Sequence, residues 1–238
     1  MPDGDNERWQ QCWRDRAIDF HQAAVNPLLI RLWPTLGLAA SDRIFVPLCG
    51  KSRDLLWLHQ QGHEVIGVEL SPIAVRAFFK ESRLQPARHR QGAFTRWRSG
   101  RLAIHCGDFF DLCAADLGDV KAIYDRASLT ALPEGLRAAY LAHLRAIVPA
   151  DCRILLLTTE DAEEGETDEE VLAASPEIVG LYGALFEVAS MSAECALEAL
   201  PGPGAPTLAR VAQKAYVLTP RGAAAVDARA STPGAGCR

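Results

Sequence analysis

Four residues whose types bear on ligand binding each stand at the end of a predicted buried strand. They are Gly50, Glu69, Asp108 and Arg126. Because the carboxyl ends of parallel strands meet at one edge of a sheet, we expect these residues to lie close together. A glycine lets a ligand approach the backbone, a carboxylate accepts hydrogen bonds from hydroxyls, and a guanidinium holds or polarises an acceptor group. The set is suited to binding a nucleoside cofactor beside a second substrate.

The turn after the first strand distinguishes three kinds of nucleotide site. Gly50-Lys51-Ser52 ends like a phosphate-binding P-loop, but that loop requires another glycine five residues earlier, where Phe45 stands. The dinucleotide fingerprint requires three glycines, and this turn has one. S-adenosylmethionine carries no phosphate, so one glycine and a carboxylate for the ribose are enough. Glu69 supplies that carboxylate, and its alternative role is to pair with the dipole of the following helix.

The other two strand ends each have a functional and a structural interpretation. Asp108 could accept a hydrogen bond from the adenine amine, with Phe109 against the ring; the alternative is an Asx turn with core aromatics. Arg126 could hold the second substrate, and the alternative is a structural ion pair with Asp125 or Glu69. The local sequence leaves both pairs of alternatives open.

Apolar segments alternate with helical periodicity along the chain, which is typical of a mostly parallel sheet covered by helices on both faces. We expect strands at 43–48, 64–70, 102–106, 122–125, 153–159, 186–191 and 212–218. We expect helices at 6–17, 27–36, 52–61, 72–84, 133–147 and 176–184. The last two strands lack a helical crossover and fit an antiparallel edge. The predicted fold is therefore α/β, with one domain over 1–219 and a disordered tail over 220–238.

Composition limits the partners. The chain has 238 residues, 49% hydrophobic and 23% charged, as in ordinary soluble proteins. A net charge of −5 without a basic stripe predicts no nucleic-acid partner. No apolar run reaches the roughly 18 residues that span a bilayer, and the acidic N-terminus is unlike a signal peptide, so we expect a cytoplasmic protein without a membrane partner. The seven scattered cysteines form no C-x-x-C pair, so neither a disulfide framework nor a metal site is implied.

Several motifs together resemble the thiopurine S-methyltransferase family, most closely its bacterial members. The resemblance covers residues 6–160 and, weakly, the rest to about 219. Each motif alone is weak, but the combination at these distances is specific. The motifs are Pro47-Leu-Cys-Gly-Lys-Ser52, Gly67-Val-Glu-Leu-Ser71, Gly107-Asp-Phe-Phe110, Tyr124-Asp-Arg126 and the N-terminal Trp9-x-x-x-Trp13 with Phe20-His21.

The resemblance implies a Rossmann-like class I methyltransferase fold, with a helical lid segment over 6–36 and S-adenosylmethionine as cofactor. The acceptor implied is a sulfur or selenium compound. Phe20 and Arg126 would contact this acceptor, and Arg126 would position it. Asp19 and His21 are the nearest candidates for a general base. The cofactor-binding residues implied are Trp9, Trp13, Leu48, Gly50, Glu69, Asp108, Phe109 and Arg126.

The chain departs from the family in two segments on the acceptor side. Residues 160–170 hold eight acids where the family has a Gly-Pro-Pro-Phe loop, and we expect a solvated mobile loop there. Residues 193–209 contain no Lys or Arg where the family has a basic segment. The acceptor pocket is therefore altered, and a thiopurine is a poor candidate for the physiological acceptor.

We therefore expect a monomeric S-methyltransferase that moves a methyl group to a small thiol, thioether, thiopurine, selenium or tellurium acceptor. Two alternatives remain open. One is a protein that binds the cofactor without turnover, as a sensor or partner protein. The other is a methyltransferase that acts on oxygen or nitrogen.

Overall fold

Nine strands form a single mixed sheet in the computed structural model, which describes residues 3–162, 166–200 and 207–222. The order across the sheet is β3-β4-β5-β2-β1-β6-β7-β9-β8, and β5-β2-β1-β6-β7 run parallel. The predicted mostly parallel sheet is confirmed. The strands are β1 (Arg43–Val46), β2 (Glu64–Glu69), β3 (Ala87–Gln91), β4 (Phe94–Ser99), β5 (Leu102–Cys106), β6 (Val120–Arg126), β7 (Arg153–Asp161), β8 (Phe186–Leu200) and β9 (Thr207–Pro220).

The helices lie between the strands and before the first of them. The region predicted as one helix over 27–36 is a short α-helix followed by a 3-10 turn, because Pro34 restricts the backbone there. In the described part of the chain, no helix is both long and apolar enough to cross a bilayer. The helices are α1 (Asp3–Asp15), α2 (Pro27–Leu32), α3 (Asp54–Gln60), α4 (Pro72–Glu81), α5 (Ala114–Leu117), α6 (Ser128–Ala131), α7 (Glu134–Ile147), α8 (Asp168–Leu172) and α9 (Pro176–Tyr182).

Two buried clusters cover the two faces of the sheet. Successive residues of a strand point to opposite faces, and the neighbours Ile44 and Phe45 of β1 accordingly belong to different clusters. Phe45 packs with residues of α7 such as Tyr140, whereas Ile44 packs with residues of α3 such as Leu55. The sheet is thus buried on both sides, and its open edge at the carboxyl ends of the strands is left for a ligand.

Both edges of the sheet are antiparallel. The pairing of β9 with β7 and β8 confirms the edge expected from the missing crossover. The hairpin β3–β4 at the other edge is absent from the sequence prediction. Its first strand reads Ala-Arg-His-Arg-Gln and is mostly exposed, so it lacks the apolar signal on which strand prediction rests.

Parts of the acidic segment 160–170 lie in regular secondary structure. Glu160 and Asp161 complete β7, and the helix α8 begins at Asp168. A capping box between Thr167 and Glu170 stabilises the start of that helix. Each of the two side chains accepts a hydrogen bond from the backbone amide of the other residue. These residues therefore lie in regular structure rather than in a loop, while Asp161 and the acids of α8 are exposed, as expected of solvated residues. Residues 163–165, 201–206 and 223–238 lie outside the described part, so the predicted tail stays a prediction.

Candidate active site

A cavity of about 210 Å³ opens at the carboxyl ends of β1, β2, β5 and β6, with α1 on its far side. Its wall is mostly apolar. Asp19, proposed from the sequence as a general base, is exposed and does not belong to the wall. The sequence-predicted residues that line the cavity are Trp9, Trp13, Phe20, His21, Leu48, Gly50, Glu69, Asp108, Phe109 and Arg126.

The turn after β1 brings backbone close to the cavity. Leu48 and Gly50 both have left-handed backbone angles, with φ of 44° and 54°. Such angles are strained for leucine and free of strain for glycine. A Cβ atom on Gly50 would lie 3.3 Å from the ring of Trp13, closer than most contacts of a side chain allow. Gly50 is therefore required both by its backbone angle and by the ring that passes over it.

Glu69 lies at the end of β2 and is only 7% exposed. Its Oε2 accepts a hydrogen bond from the Gly50 amide at 2.9 Å, and its Oε1 accepts one from the Ser71 amide at 2.7 Å. Burial raises the pKa of Glu69 to about 7, although both backbone hydrogen bonds oppose the rise. The Ser71 contact is the helix-start interaction expected as the structural alternative. A carboxylate has about four acceptor sites, so each oxygen retains capacity for a ligand donor.

Asp108 follows β5 and joins two segments of the wall. Its Oδ1 accepts from the Phe110 amide at 3.0 Å, which is the Asx-turn alternative, and its Oδ2 accepts from Asn6 Nδ2 at 2.8 Å. Burial raises the pKa of Asp108, but hydrogen bonds, including those from Asn6 and Phe110, contribute to a larger opposite effect, and the net pKa is lowered. Phe109 lines the cavity while its ring packs in the core against Phe45 and Tyr140.

Asn6 is a wall residue that sequence reasoning misses. Asn6, Trp9 and Trp13 are spaced at i, i+3 and i+7, which places them on one face of α1. That spacing is the signal that could have found it. The sequence interpretation considered only the two tryptophans of this face.

Three aromatic rings close the cavity on the α1 side. The ring of Phe20 meets Trp9 and Trp13 edge-on, with centroids 5.5 Å and 5.8 Å apart. Trp13 is buried, whereas Phe20 is 46% exposed. Edge-to-face packing holds such rings at defined angles. The arrangement gives the cavity an apolar roof whose outer member, Phe20, is open to solvent.

Arg126 is held by a buried carboxylate that the sequence interpretation did not name. Its Nε donates to Asp54 Oδ2 at 3.1 Å, and its Nη2 donates to Ser52 Oγ at 3.4 Å. The structural alternative predicted an ion pair of Arg126 with Asp125 or Glu69, and this prediction is wrong because the partner is Asp54. Asp125 points to the opposite face of β6, because neighbouring residues of a strand alternate, and it accepts from Tyr140 instead.

Asp54 accepts three hydrogen bonds from other parts of the protein. It is 1% exposed, and besides Arg126 it accepts from the Tyr124 hydroxyl at 2.8 Å and the Asn26 amide at 2.9 Å. The guanidinium of Arg126 is thereby fixed in orientation at the cavity wall. Its Nη1 has no hydrogen bond within the described residues. Arg126 therefore presents a positioned donor group to the cavity.

His21 lies on the same side of the cavity as Arg126. Burial lowers the pKa of His21, the nearby cations Lys51, Arg126 and Arg53 lower it further, and Glu81 opposes them. The imidazole is therefore neutral at pH 7 and has one nitrogen able to accept a proton. Of the two side chains considered as a general base, only His21 has the required location.

Comparison with solved structures defines the class of the fold. A methyltransferase from Anabaena variabilis, described as dependent on S-adenosylmethionine, matches with a TM-score of 0.59 and 17% identity, covering 91% of this chain and 95% of that one. The 1,6-didemethyltoxoflavin-N1-methyltransferase of Burkholderia thailandensis matches with a TM-score of 0.54 and 19% identity, covering 89% and 86%. The fold is that of class I S-adenosylmethionine-dependent methyltransferases.

Sequence comparison is more specific. The family described as thiopurine S-methyltransferase matches residues 4–221. The protein named thiopurine S-methyltransferase in Stutzerimonas stutzeri A1501 is 54% identical over 228 residues, which is 96% of each chain. A protein of the same name in Pseudomonas putida KT2440 is 51% identical, covering 71% of this chain and 75% of its own. The chain belongs to the thiopurine S-methyltransferase family and is an S-adenosylmethionine-dependent methyltransferase.

The residues present fit such a cofactor. Glu69 is a buried carboxylate with spare acceptor sites, and the Gly50 turn leaves space that a Cβ atom would narrow against Trp13. Asn6 Oδ1 is shielded from water and has no hydrogen-bond partner within the described residues. A ligand with hydroxyl and amine donors would satisfy both acceptors, and it would approach the backbone at Gly50.

Proposed function

We propose that this chain transfers the methyl group of S-adenosylmethionine to the sulfur of a small thiol, thioether or thiopurine, or to a selenium or tellurium acceptor. The observation that carries the proposal is the position of Glu69. It is a shielded carboxylate at the end of β2, bound to two backbone amides and open to an apolar cavity. This is where a class I methyltransferase requires an acceptor for ribose hydroxyls.

The cofactor end of the cavity binds by shape and by hydrogen bonds. In this proposal Glu69 accepts from the ribose, Leu48 and Gly50 line the methionine portion, and Asp108 lies at the adenine. Trp9 and Trp13 form part of the roof, and the face of such a ring stabilises a nearby cation through the aromatic quadrupole. When bound, S-adenosylmethionine supplies an electrophilic methyl group on a positively charged sulfur.

At the acceptor end, Arg126 is the positioning residue. Asp54 fixes its guanidinium, and the remaining donors orient an electron-rich acceptor. Phe20 lines the same cavity on the exposed rim of the roof. Fixing two reactants in line contributes to the rate by removing translational and rotational freedom before the reaction.

The chemistry requires little acid-base help from the protein. A thiol of low pKa arrives as the thiolate, and a thioether attacks through its lone pair without losing a proton. For a thiol of higher pKa, the neutral imidazole of His21 is able to accept the proton because cationic neighbours and burial keep it deprotonated. The apolar wall excludes water, which would otherwise solvate the attacking lone pair.

The experiment that tests the cofactor site compares two glutamates of the same strand. Glu69→Gln is expected to weaken S-adenosylhomocysteine binding by about tenfold, since one charge-assisted hydrogen bond contributes about 1.5 kcal/mol. Glu64→Gln is the matched control, because Glu64 stands at the start of β2, outside the cavity wall, and pairs with Arg43 at 3.0 Å. Titration calorimetry measures both, and unchanged affinity in Glu69→Gln would contradict the ribose assignment.

The acceptor side is tested by methyl transfer to thiols, thioethers, thiopurines, selenite and tellurite, with oxygen and nitrogen acceptors as comparison. Arg126→Lys keeps the charge beside Asp54 but loses the planar fork. We expect it to raise KM for the preferred acceptor several-fold and to change cofactor affinity less than Glu69→Gln does. If none of the sulfur, selenium and tellurium acceptors is methylated, the proposed function is refuted.

A further inference from the structure

A hydrogen bond between side chains links α1 to the body of the protein at the cofactor end of the cavity. Asn6 and Asp108 are 102 residues apart in sequence, and Asn6 Nδ2 lies 2.8 Å from Asp108 Oδ2. Both side chains line the cavity. Asn6 therefore belongs to the wall at the point where the proposed function puts the adenine, and the role inferred for Asn6 rests on that proposed function.

The orientation of the Asn6 amide is determined by its partner. An ionised carboxylate accepts hydrogen bonds and donates none, so the amide nitrogen must face Asp108. The amide oxygen is then directed elsewhere. Oδ1 is shielded from water and has no partner within the described residues. A buried acceptor left unpaired is unfavourable, so this oxygen is suited to a donor brought by a ligand.

We propose that Asn6 is a specificity-determining residue that recognises the exocyclic amine of the purine through Oδ1. An amine of this kind carries two N–H donors. Asn6 Oδ1 accepts one of them, and the other is directed to Asp108, the acceptor that the proposed function places at the adenine. The pair thus recognises a 6-amino purine and discriminates against one with a carbonyl at that position.

The same contact couples the ligand to α1. Asn6, Trp9 and Trp13 lie on one face of this helix, so the amine and the roof of the cavity are held by the same element. A ligand with a carbonyl in place of the amine brings an acceptor against Oδ1. The amide has no alternative orientation that avoids this repulsion, because turning it over would place Oδ1 against the Asp108 carboxylate.

The test measures the ratio of two affinities rather than activity. Titration calorimetry compares S-adenosylhomocysteine with S-inosylhomocysteine, in which a carbonyl replaces the amine. The proteins are the wild type, Asn6→Leu and the control Gln11→Leu, whose amide lies on the exposed side of α1 and bonds to Asp15. We expect the wild type to favour the adenosyl ligand, Asn6→Leu to reduce this preference about fivefold, and Gln11→Leu to retain it.

The outcomes separate this inference from the proposed function. If Asn6→Leu weakens both ligands equally, Asn6 only holds α1 and the inference is overturned. A wild type without preference overturns it as well. If the wild type binds neither ligand, the proposed cofactor site itself fails. Melting temperatures of the unliganded variants, which we expect to lie close to the wild-type value, exclude a general folding defect as the cause.

Discussion

Glu69 at the cofactor end and Asp54 behind the acceptor end are both shielded carboxylates, with 7% and 1% exposure. Their partners differ. Asp54 accepts from a guanidinium, a phenol and a backbone amide, whereas Glu69 accepts from two backbone amides within the described residues and faces no positive side chain. The difference indicates that Asp54 is satisfied by the protein, and Glu69 retains acceptor capacity for a ligand.

The same contrast distinguishes the two halves of the cavity. At the cofactor end, buried polar groups keep spare capacity: Glu69 in its oxygens and Asn6 in Oδ1. At the end where the proposed function puts the acceptor, the charge of Arg126 is compensated by Asp54. An acceptor placed there would meet a compensated, pre-oriented guanidinium, so its recognition would depend on shape and directed donors more than on net charge.

The largest expected effect is on stability. Asp54→Ala leaves the Arg126 charge and the Tyr124 hydroxyl without their acceptor, and we expect a loss of about 3 kcal/mol in the free energy of unfolding. Glu69→Ala removes a carboxylate whose ionisation burial disfavours, so we expect a much smaller loss. Urea unfolding at pH 7 measures both. Equal losses in the two variants would remove the distinction between the carboxylates.

The strand-end residues of the cofactor half could be predicted because parallel strands place their carboxyl ends together. Gly50, Glu69 and Asp108 are recognisable from strand pattern and residue type alone. The partner of Arg126 could not be predicted in this way. Asp54 is 72 residues distant in sequence, and which carboxylate reaches the guanidinium depends on where the start of α3 lies relative to the end of β6.

Two other features were beyond sequence reasoning for different reasons. The Asn6–Asp108 bond depends on how α1 docks, and asparagine on a helix is an ordinary surface residue. The hairpin β3–β4 has an exposed, charged first strand stabilised by backbone pairing, which carries no pattern of burial. In both cases the determining interaction is tertiary: helical spacing could place Asn6 on the cavity face of α1, but it could not identify Asp108 as its partner.

A second, smaller effect concerns pH. Burial raises the pKa of Glu69 to about 7, so the ionised form, which accepts the ribose hydroxyls in the proposed function, is scarce at pH 6 and predominant at pH 8. We expect S-adenosylhomocysteine affinity to rise about tenfold over this interval, in proportion to the ionised fraction. In Glu69→Gln this rise should disappear. A rise of equal size in the variant would assign the titration to another group.

The same raised pKa has a consequence for folding. Between the ordinary carboxyl pKa of about 4.5 and the folded value of about 7, the native state binds more protons at Glu69 than the unfolded chain does. The contribution of this group to stability is therefore fully present below pH 4.5 and is lost as pH rises through 7. The free energy of unfolding of the wild type, relative to that of Glu69→Gln, should therefore fall as pH rises from 4.5 through 7.

The smallest expected effect compares two glycines with the same backbone conformation. Gly50 and Gly37 have φ of 54° and 61°, so replacing either with alanine should cost about 1 kcal/mol of stability through backbone strain. A Cβ atom on Gly37 meets only Arg153, at 3.7 Å, whereas one on Gly50 lies 3.3 Å from the Trp13 ring. Gly50→Ala alone should therefore displace the roof and weaken S-adenosylhomocysteine binding a few-fold. Equal affinities in the two variants would mean that the turn after β1 is shaped by the fold rather than by the cofactor.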